Sequence, residues 1–216
     1  MGKTCFIFGA GEYGAMARSP AGLTGGLVIA ADGGYDRLGQ WGITPDLAVG
    51  DFDSLGRVPQ NVEVVRHPVR KDDTDMALAV QEGLKRGCTR FLLYGGLGGR
   101  LDHTLANLHL LADLAARGCP GFLLGENTAA TAVHNGALTF GAEYTGTLSL
   151  FAWGGPAAGV TLTGLLYPLE NSTLTPERPL GVSNEFTGQK ARVCVTNGTL
   201  LALWNPSDGA DLPVPS

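Results

Sequence analysis

Residues 47–54 read Leu-Ala-Val-Gly-Asp-Phe-Asp-Ser, an apolar run closed by a glycine and followed by two carboxylates one residue apart. The apolar part has the length of a buried strand, so Asp51 and Asp53 stand at a strand's carboxyl end. Similar short runs recur at residues 4–8, 27–31, 62–65, 91–94 and 121–124. Helical spacing separates them at residues 73–85 and 102–116, where Leu105, Leu108, Ala112 and Ala115 share one face. This alternation predicts an α/β domain over residues 1–126, with a mostly parallel, Rossmann-like sheet covered by helices. From residue 127 to 216 the texture turns to Gly, Thr and β-branched residues, which predicts an all-β domain. Asn135-Gly136 and Asn197-Gly198 are placed between strand-like runs as type I′ hairpin turns would be, and residues 146–152 and 159–166 supply further strands.

At 216 residues and 44% apolar composition the chain buries a sizeable core. Fifteen basic against twenty acidic residues leave a net charge of -5, without the basic face that a nucleic-acid partner needs. Cys5, Cys88, Cys119 and Cys194 form no CxxC pair, which argues for buried thiols in a reducing compartment rather than zinc or a disulfide framework. The first residues are too short for a signal segment and no run approaches a membrane span, so a soluble cytoplasmic protein is expected.

In open α/β sheets ligands bind outside the carboxyl ends of the strands. Asp32 follows the run 27–31, Asp51 and Asp53 follow 47–49, and Asp72, Asp73 and Asp75 open the next helix. Six carboxylates on one sheet edge repel unless a cation offsets them, and oxygen-only surroundings favour Mg²⁺, whose shell substrate phosphates complete. A nucleotide polyphosphate site is the consequence. Taken singly, Asp72 or Asp73 serves equally as a helix cap, Asp75 as a partner of the helix dipole, and Asp51 with Asp53 as an Asx-turn.

Residues 94–103, Tyr-Gly-Gly-Leu-Gly-Gly-Arg-Leu-Asp-His, run from strand to helix through four glycines. Gly95, Gly96, Gly98 and Gly99 expose N–H groups beside a helix N-terminus, and Arg100 adds a forked cation; the plainer reading is a turn with Asp102 as its cap. His103 and Asn107, four apart, read as polar braces of this loop. Near the N-terminus Gly9-Ala10-Gly11-Glu12-Tyr13-Gly14 fits the dinucleotide fingerprint, with Asp32 near the place of a ribose-binding carboxylate. The helix that should follow is interrupted at Ser19-Pro20-Ala21-Gly22, and an NAD-dependent oxidoreductase leaves the acidic loops unexplained, so these glycines read instead as a nucleotide-facing loop or a plain βα turn.

Ala31-Asp32-Gly33-Gly34, residues 45–54, Lys71-Asp72-Asp73-Thr74-Asp75, Gly98-Gly99-Arg100-Leu101-Asp102-His103 and Ser183-Asn184-Glu185-Phe186, in that order, resemble the thiamine pyrophosphokinase family. The resemblance covers nearly the whole chain and implies an α/β catalytic domain followed by a β-sandwich for thiamine binding and dimerisation. It implies that ATP gives its β,γ-diphosphoryl unit to the hydroxyethyl group of thiamine, in a homodimer with thiamine near the subunit boundary. Carried over, Asp32, Asp51, Asp53 and Asp75 hold Mg²⁺, with Asp51, Asp53, Asp75, Arg100 and Asp102 as the catalytic set. Gly33 and the glycines of residues 95–99 join Arg100 and Asp102 around ATP, while Asp72, Ser183 and Asn184 lie near thiamine. The carry-over stops at Lys71 and Ala77, where relatives differ. It stops also at Asn184, which follows Ser183 where some relatives have a tryptophan that stacks on thiamine; Phe186 and Trp153 are the candidate substitutes here. A nonenzymatic nucleotide-binding protein and a diphosphokinase for another alcohol are the remaining alternatives.

Overall fold

Five short strands of the first half are apolar almost without break, as strands covered on both faces must be. They are β1 (Lys3–Phe8), β2 (Leu27–Ala31), β3 (Leu47–Gly50), β5 (Cys88–Tyr94) and β6 (Gly121–Leu124); β4 (Glu63–Arg66) is half exposed. The computed structural model describes residues 2–11, 13, 23, 25–53, 56–66, 73–206 and 210–216. These six strands pair in parallel in the order β6-β5-β1-β2-β3-β4. Asp46 clamps the entry to β3, since its carboxylate accepts the Val28 N–H at 2.8 Å while its own N–H donates to the Val28 carbonyl.

Among the described residues the helices are α1 (Gly34–Gln40), α2 (Asp75–Lys85) and α3 (Leu101–Ala116). The cap of α2 is Thr74, whose hydroxyl accepts the Ala77 N–H at 3.2 Å. Asp73, one of the two caps the sequence offers, instead accepts a bond from Gln81 at 3.1 Å; Asp72 lies outside the described residues. Glu82 sits on the buried face of α2, where bonds from Lys85 and Arg86 hold its carboxyl below the usual range despite burial. Arg86 also reaches Glu63 on β4 and so ties helix to strand.

Contacts divide the chain into one unit of Met1–Leu110 with Gly121–Glu126 and another of Leu111–Pro120 with Asn127–Ser216. The second is β-rich: β7 (Ala129–Phe140), β8 (Thr147–Thr163), β9 (Leu169–Leu174), β10 (Asn184–Glu185), β11 (Ala191–Trp204) and β12 (Val214–Pro215). Each pairs antiparallel, with β11 between β7 and β8, β9 and β10 on β8, and β12 on β7. Phe140 anchors the core against Tyr144, Phe186 and Trp204 at centroid distances of 5.1, 5.2 and 5.6 Å.

Neither Asn-Gly pair makes the expected hairpin. Asn135-Gly136 lies inside β7 and Asn197-Gly198 inside β11, facing each other where the register shifts between Val195 and Thr199. Asn135 has φ 47° and Gly198 φ 109°, and the Gly198 N–H donates to the Asn135 side chain at 2.9 Å. A glycine-type bulge and a type I′ turn both call for positive φ, so the dipeptide alone does not choose between them; pairing that continues on both sides makes these bulges. By the same logic the two strands expected at 146–152 and 159–166 are halves of β8. Among the described residues no helix is long and apolar enough to cross a membrane.

Candidate active site

β1 and β5 are neighbours, yet β1 leads on to β2 on one side while β5 leads to β6 on the other. Loops leaving such a reversal diverge and leave a crevice at the carboxyl edge. A cavity of about 310 Å³ opens there, bounded by Gly9–Gly11 after β1, Ala31 and Asp32 at the end of β2, Thr74–Met76 at the start of α2, and the loop after β5. Asp32 is held at φ 45° with its N–H on the Val49 carbonyl, and one of its carboxylate oxygens is fully buried. Asp75 follows the Thr74 cap, so helix geometry fixes where its carboxylate begins.

The loop after β5 turns on Gly95, Gly98 and Gly99, all at positive φ. Asn107, 4% exposed, donates from its amide to the Gly96 carbonyl at 2.8 Å and braces the loop from α3. Gly95, Gly96, Gly98, Gly99, Arg100 and His103 all line the cavity. Asp102 does not. It grips the Arg100 guanidinium through both oxygens, at 3.2 and 2.6 Å, and accepts the His103 N–H at 3.0 Å. Arg100 holds the Asp102 carboxyl below its usual value, and Asp102 raises Arg100 in turn. Asp102 thus binds the cation and does not line the cavity itself.

Other expected residues stand elsewhere. Asp51 and Asp53 do not line the cavity: the Asp53 N–H donates to Asp51 Oδ1 at 3.1 Å, and buried Phe52 at φ 62° pins the loop between them. This is the Asx-turn geometry. The loop is nevertheless next to Asp32, since a Cβ on Gly50 would come within 3.3 Å of the Asp32 Cα. Among the described residues no three His, Cys, Asp or Glu side chains gather to hold a metal. Of the four carboxylates, Asp32 and Asp75 line the cavity, and Asp51 and Asp53 stand on the loop beside Asp32. Gly33 lies outside the lining and packs on Ala10, while Ser54, Lys71 and Asp72 fall outside the described residues.

The glycines of the apparent dinucleotide loop have a different task. The Gly9 N–H donates to the Tyr94 carbonyl at 2.8 Å and the Gly11 N–H to the Gly95 carbonyl at 2.9 Å. A Cβ on Gly11 would sit 2.5 Å from the Gly95 oxygen. The two loops interlock, and these two N–H groups are already engaged within the protein while their loop lines the cavity. Gly14 lies outside the described residues. Sequence reasoning missed this role, although two glycine loops following strands destined to be neighbours was the available signal.

In the β-rich unit, Ser183 is exposed at φ 59°, with its N–H on the Ser149 hydroxyl at 3.1 Å. Asn184 is buried, and its side chain is spent on structure: Oδ1 accepts the Tyr167 N–H at 2.9 Å and Nδ2 donates to the Tyr167 carbonyl at 2.7 Å. Phe186 is a core residue with no face to offer a ligand, and Trp153 lies half-buried in β8.

Residues 24–123 match the family model described as thiamin pyrophosphokinase, catalytic domain, and residues 138–200 match thiamin pyrophosphokinase, vitamin B1 binding domain. The chain belongs to the thiamine pyrophosphokinase family. It is 28% identical over 184 residues to the thiamine pyrophosphokinase of Bacillus subtilis, covering 82% of this chain and 86% of that protein. The crystal structure of thiamine pyrophosphokinase from Bacillus subtilis superposes with a TM-score of 0.82 at 26% identity, over 95% of this chain and 100% of that one. A thiamin pyrophosphokinase family protein from Enterococcus faecalis gives 0.80 at 27%, with the same coverage. Membership makes the chain an enzyme that forms thiamine diphosphate with ATP, and neither the oxidoreductase nor the nonenzymatic reading finds support.

Proposed function

We propose that the cavity at the β1/β5 reversal receives the polyphosphate of ATP, and that the chain transfers the β,γ-diphosphoryl unit to thiamine in one step. The observation carrying this reading is the convergence of Asp32, Asp75, Arg100 and the glycine loop on one cavity. The hydroxyethyl oxygen of thiamine attacks the β-phosphorus, the bond from that phosphorus to the bridging oxygen of the α-phosphate breaks, and AMP leaves with the electron pair. The hydroxyl proton passes to a carboxylate of the acidic set or to water.

Positioning and charge stabilisation are most of what phosphoryl-type transfer asks of a protein. Arg100, aimed by Asp102, faces the equatorial oxygens of the attacked phosphorus, and the 95–99 loop, braced by Asn107, presents backbone to the phosphates. The donor set suits Mg²⁺: Asp32 and Asp75 are hard oxygen ligands, and this ion binds through one or two carboxylates plus substrate phosphates rather than in an all-protein cage. Asp51 and Asp53, on the loop beside Asp32, complete the set we assign to it. When bound, Mg²⁺ supplies charge neutralisation on the polyphosphate oxygens.

In finer terms we read residues 1–126 as a Rossmann-like catalytic domain and 127–216 as a β-sandwich for thiamine binding and dimerisation, with Asp72 and Ser183 near thiamine. The homodimer belongs to this reading, and so does a cytoplasmic location, which the four free thiols support. The test is AMP release from ATP with and without thiamine, with mass analysis of the product. Thiamine-dependent AMP and thiamine diphosphate are expected; tight ATP binding without AMP would overturn the reading in favour of a binding protein.

A further inference from the structure

Resting on the thiamine reading above, we propose that Tyr167 is the aromatic face on which the acceptor's positively charged ring stacks, and that Asn184 is the positioning residue that sets it. Tyr167 is 60% exposed, whereas Phe186, the aromatic that the sequence puts forward beside Ser183, is 9% exposed and packed on Phe140 and Tyr144. The Tyr167 backbone is pinned at both its N–H and its carbonyl by one buried carboxamide, that of Asn184. The Leu166 N–H on the Glu185 carbonyl at 3.0 Å and the bridge between Leu165 and Phe186 extend the pairing. A rigid aromatic on a fixed backbone offers contact area at small entropic cost.

The neighbouring residues agree. Ser183 is held at φ 59°, a conformation that non-glycine residues keep where the surroundings over-determine it, often at ligand sites. Leu166, Leu180 and Val182 are all exposed, in the two segments that carry Tyr167 and Ser183. Glu185 is an exposed carboxylate in the same segment. An apolar surface with an aromatic face and a carboxylate complements an aromatic cation, and residues 138–200 match a vitamin B1 binding model. The occupant is therefore thiamine rather than a second copy of the chain.

The test is steady-state kinetics of Tyr167→Ala, Tyr167→Phe and Asn184→Asp, with thermal unfolding run in parallel. Tyr167→Ala is expected to raise the KM for thiamine about tenfold, the order expected of a desolvated cation–π contact, and to leave the KM for ATP and the unfolding midpoint unchanged. Tyr167→Phe keeps the ring and stays within about twofold. Asn184→Asp, unable to donate to the Tyr167 carbonyl, raises the thiamine KM alone. Preference for thiamine over an analogue with an uncharged ring falls in Tyr167→Ala. An unchanged thiamine KM in Tyr167→Ala, equal losses for thiamine and the uncharged analogue, or an effect confined to oligomeric state overturns the inference. A wild-type protein without thiamine-dependent AMP release overturns the function itself.

Discussion

At Gly11 the missing side chain lets one loop close onto another, whereas at Gly198 it lets a strand bend without ending. In the α/β unit the Gly11 N–H meets the Gly95 carbonyl at 2.9 Å, and the interlocked loops form one wall of the cavity. In the β-rich unit Gly198 has φ 109° and faces Asn135 across paired strands that run on past both. The difference teaches that a glycine motif states a backbone requirement, and the partner across from it decides what the requirement serves.

The sharpest break in this contrast is chemical. Asp75→Asn keeps the size of the side chain and leaves the Thr74 cap in place, but removes a charge from the cavity; turnover is expected to fall at least about a hundredfold with an unchanged unfolding midpoint. Near-normal AMP release would remove Asp75 from the catalytic set. Gly11→Ala comes next: its Cβ would lie 2.5 Å from the Gly95 oxygen, so a loss of about 2 kcal/mol in stability and a raised KM for ATP are expected together. Gly198→Ala places a Cβ 2.7 Å from the Pro156 carbonyl and is expected to cost about 1–2 kcal/mol while leaving the KM for ATP unchanged. Identical kinetic effects from the two alanines would erase the distinction.

The smallest effect concerns the frame beneath the cavity. The Glu82 carboxyl is depressed by Lys85 and Arg86, so its contribution is present above the ordinary carboxylate range and lost as pH falls through the lower folded value. Melting curves of the protein and of Glu82→Gln should differ at neutral pH and converge in acid. A constant gap would remove Glu82 from the acid response.

Legibility followed the same division. The strands of the first unit were readable because burial on both faces leaves runs such as Leu27–Ala31 and Gly121–Leu124 with no other interpretation. The cavity's carboxylates and glycine loop were readable because their positions follow from strand ends. What escaped were matters of partnership. Asn184 was consumed by the Tyr167 backbone, and Thr74 took the cap from its acidic neighbours, whereas the turn of the Asp51 carboxylate onto the Asp53 N–H was legible as the plainer of two readings. Each is a choice among hydrogen-bond partners of similar strength, settled by tertiary geometry rather than residue type.

The most direct measurement is a crystal structure with Mg²⁺ and an ATP analogue whose α,β-bridging oxygen is replaced by methylene, since that is the bond the reaction breaks. The account predicts the β- and γ-phosphates within the cavity, against the 95–99 loop and Arg100 and flanked by Asp32 and Asp75. Phosphates bound outside that cavity would contradict it.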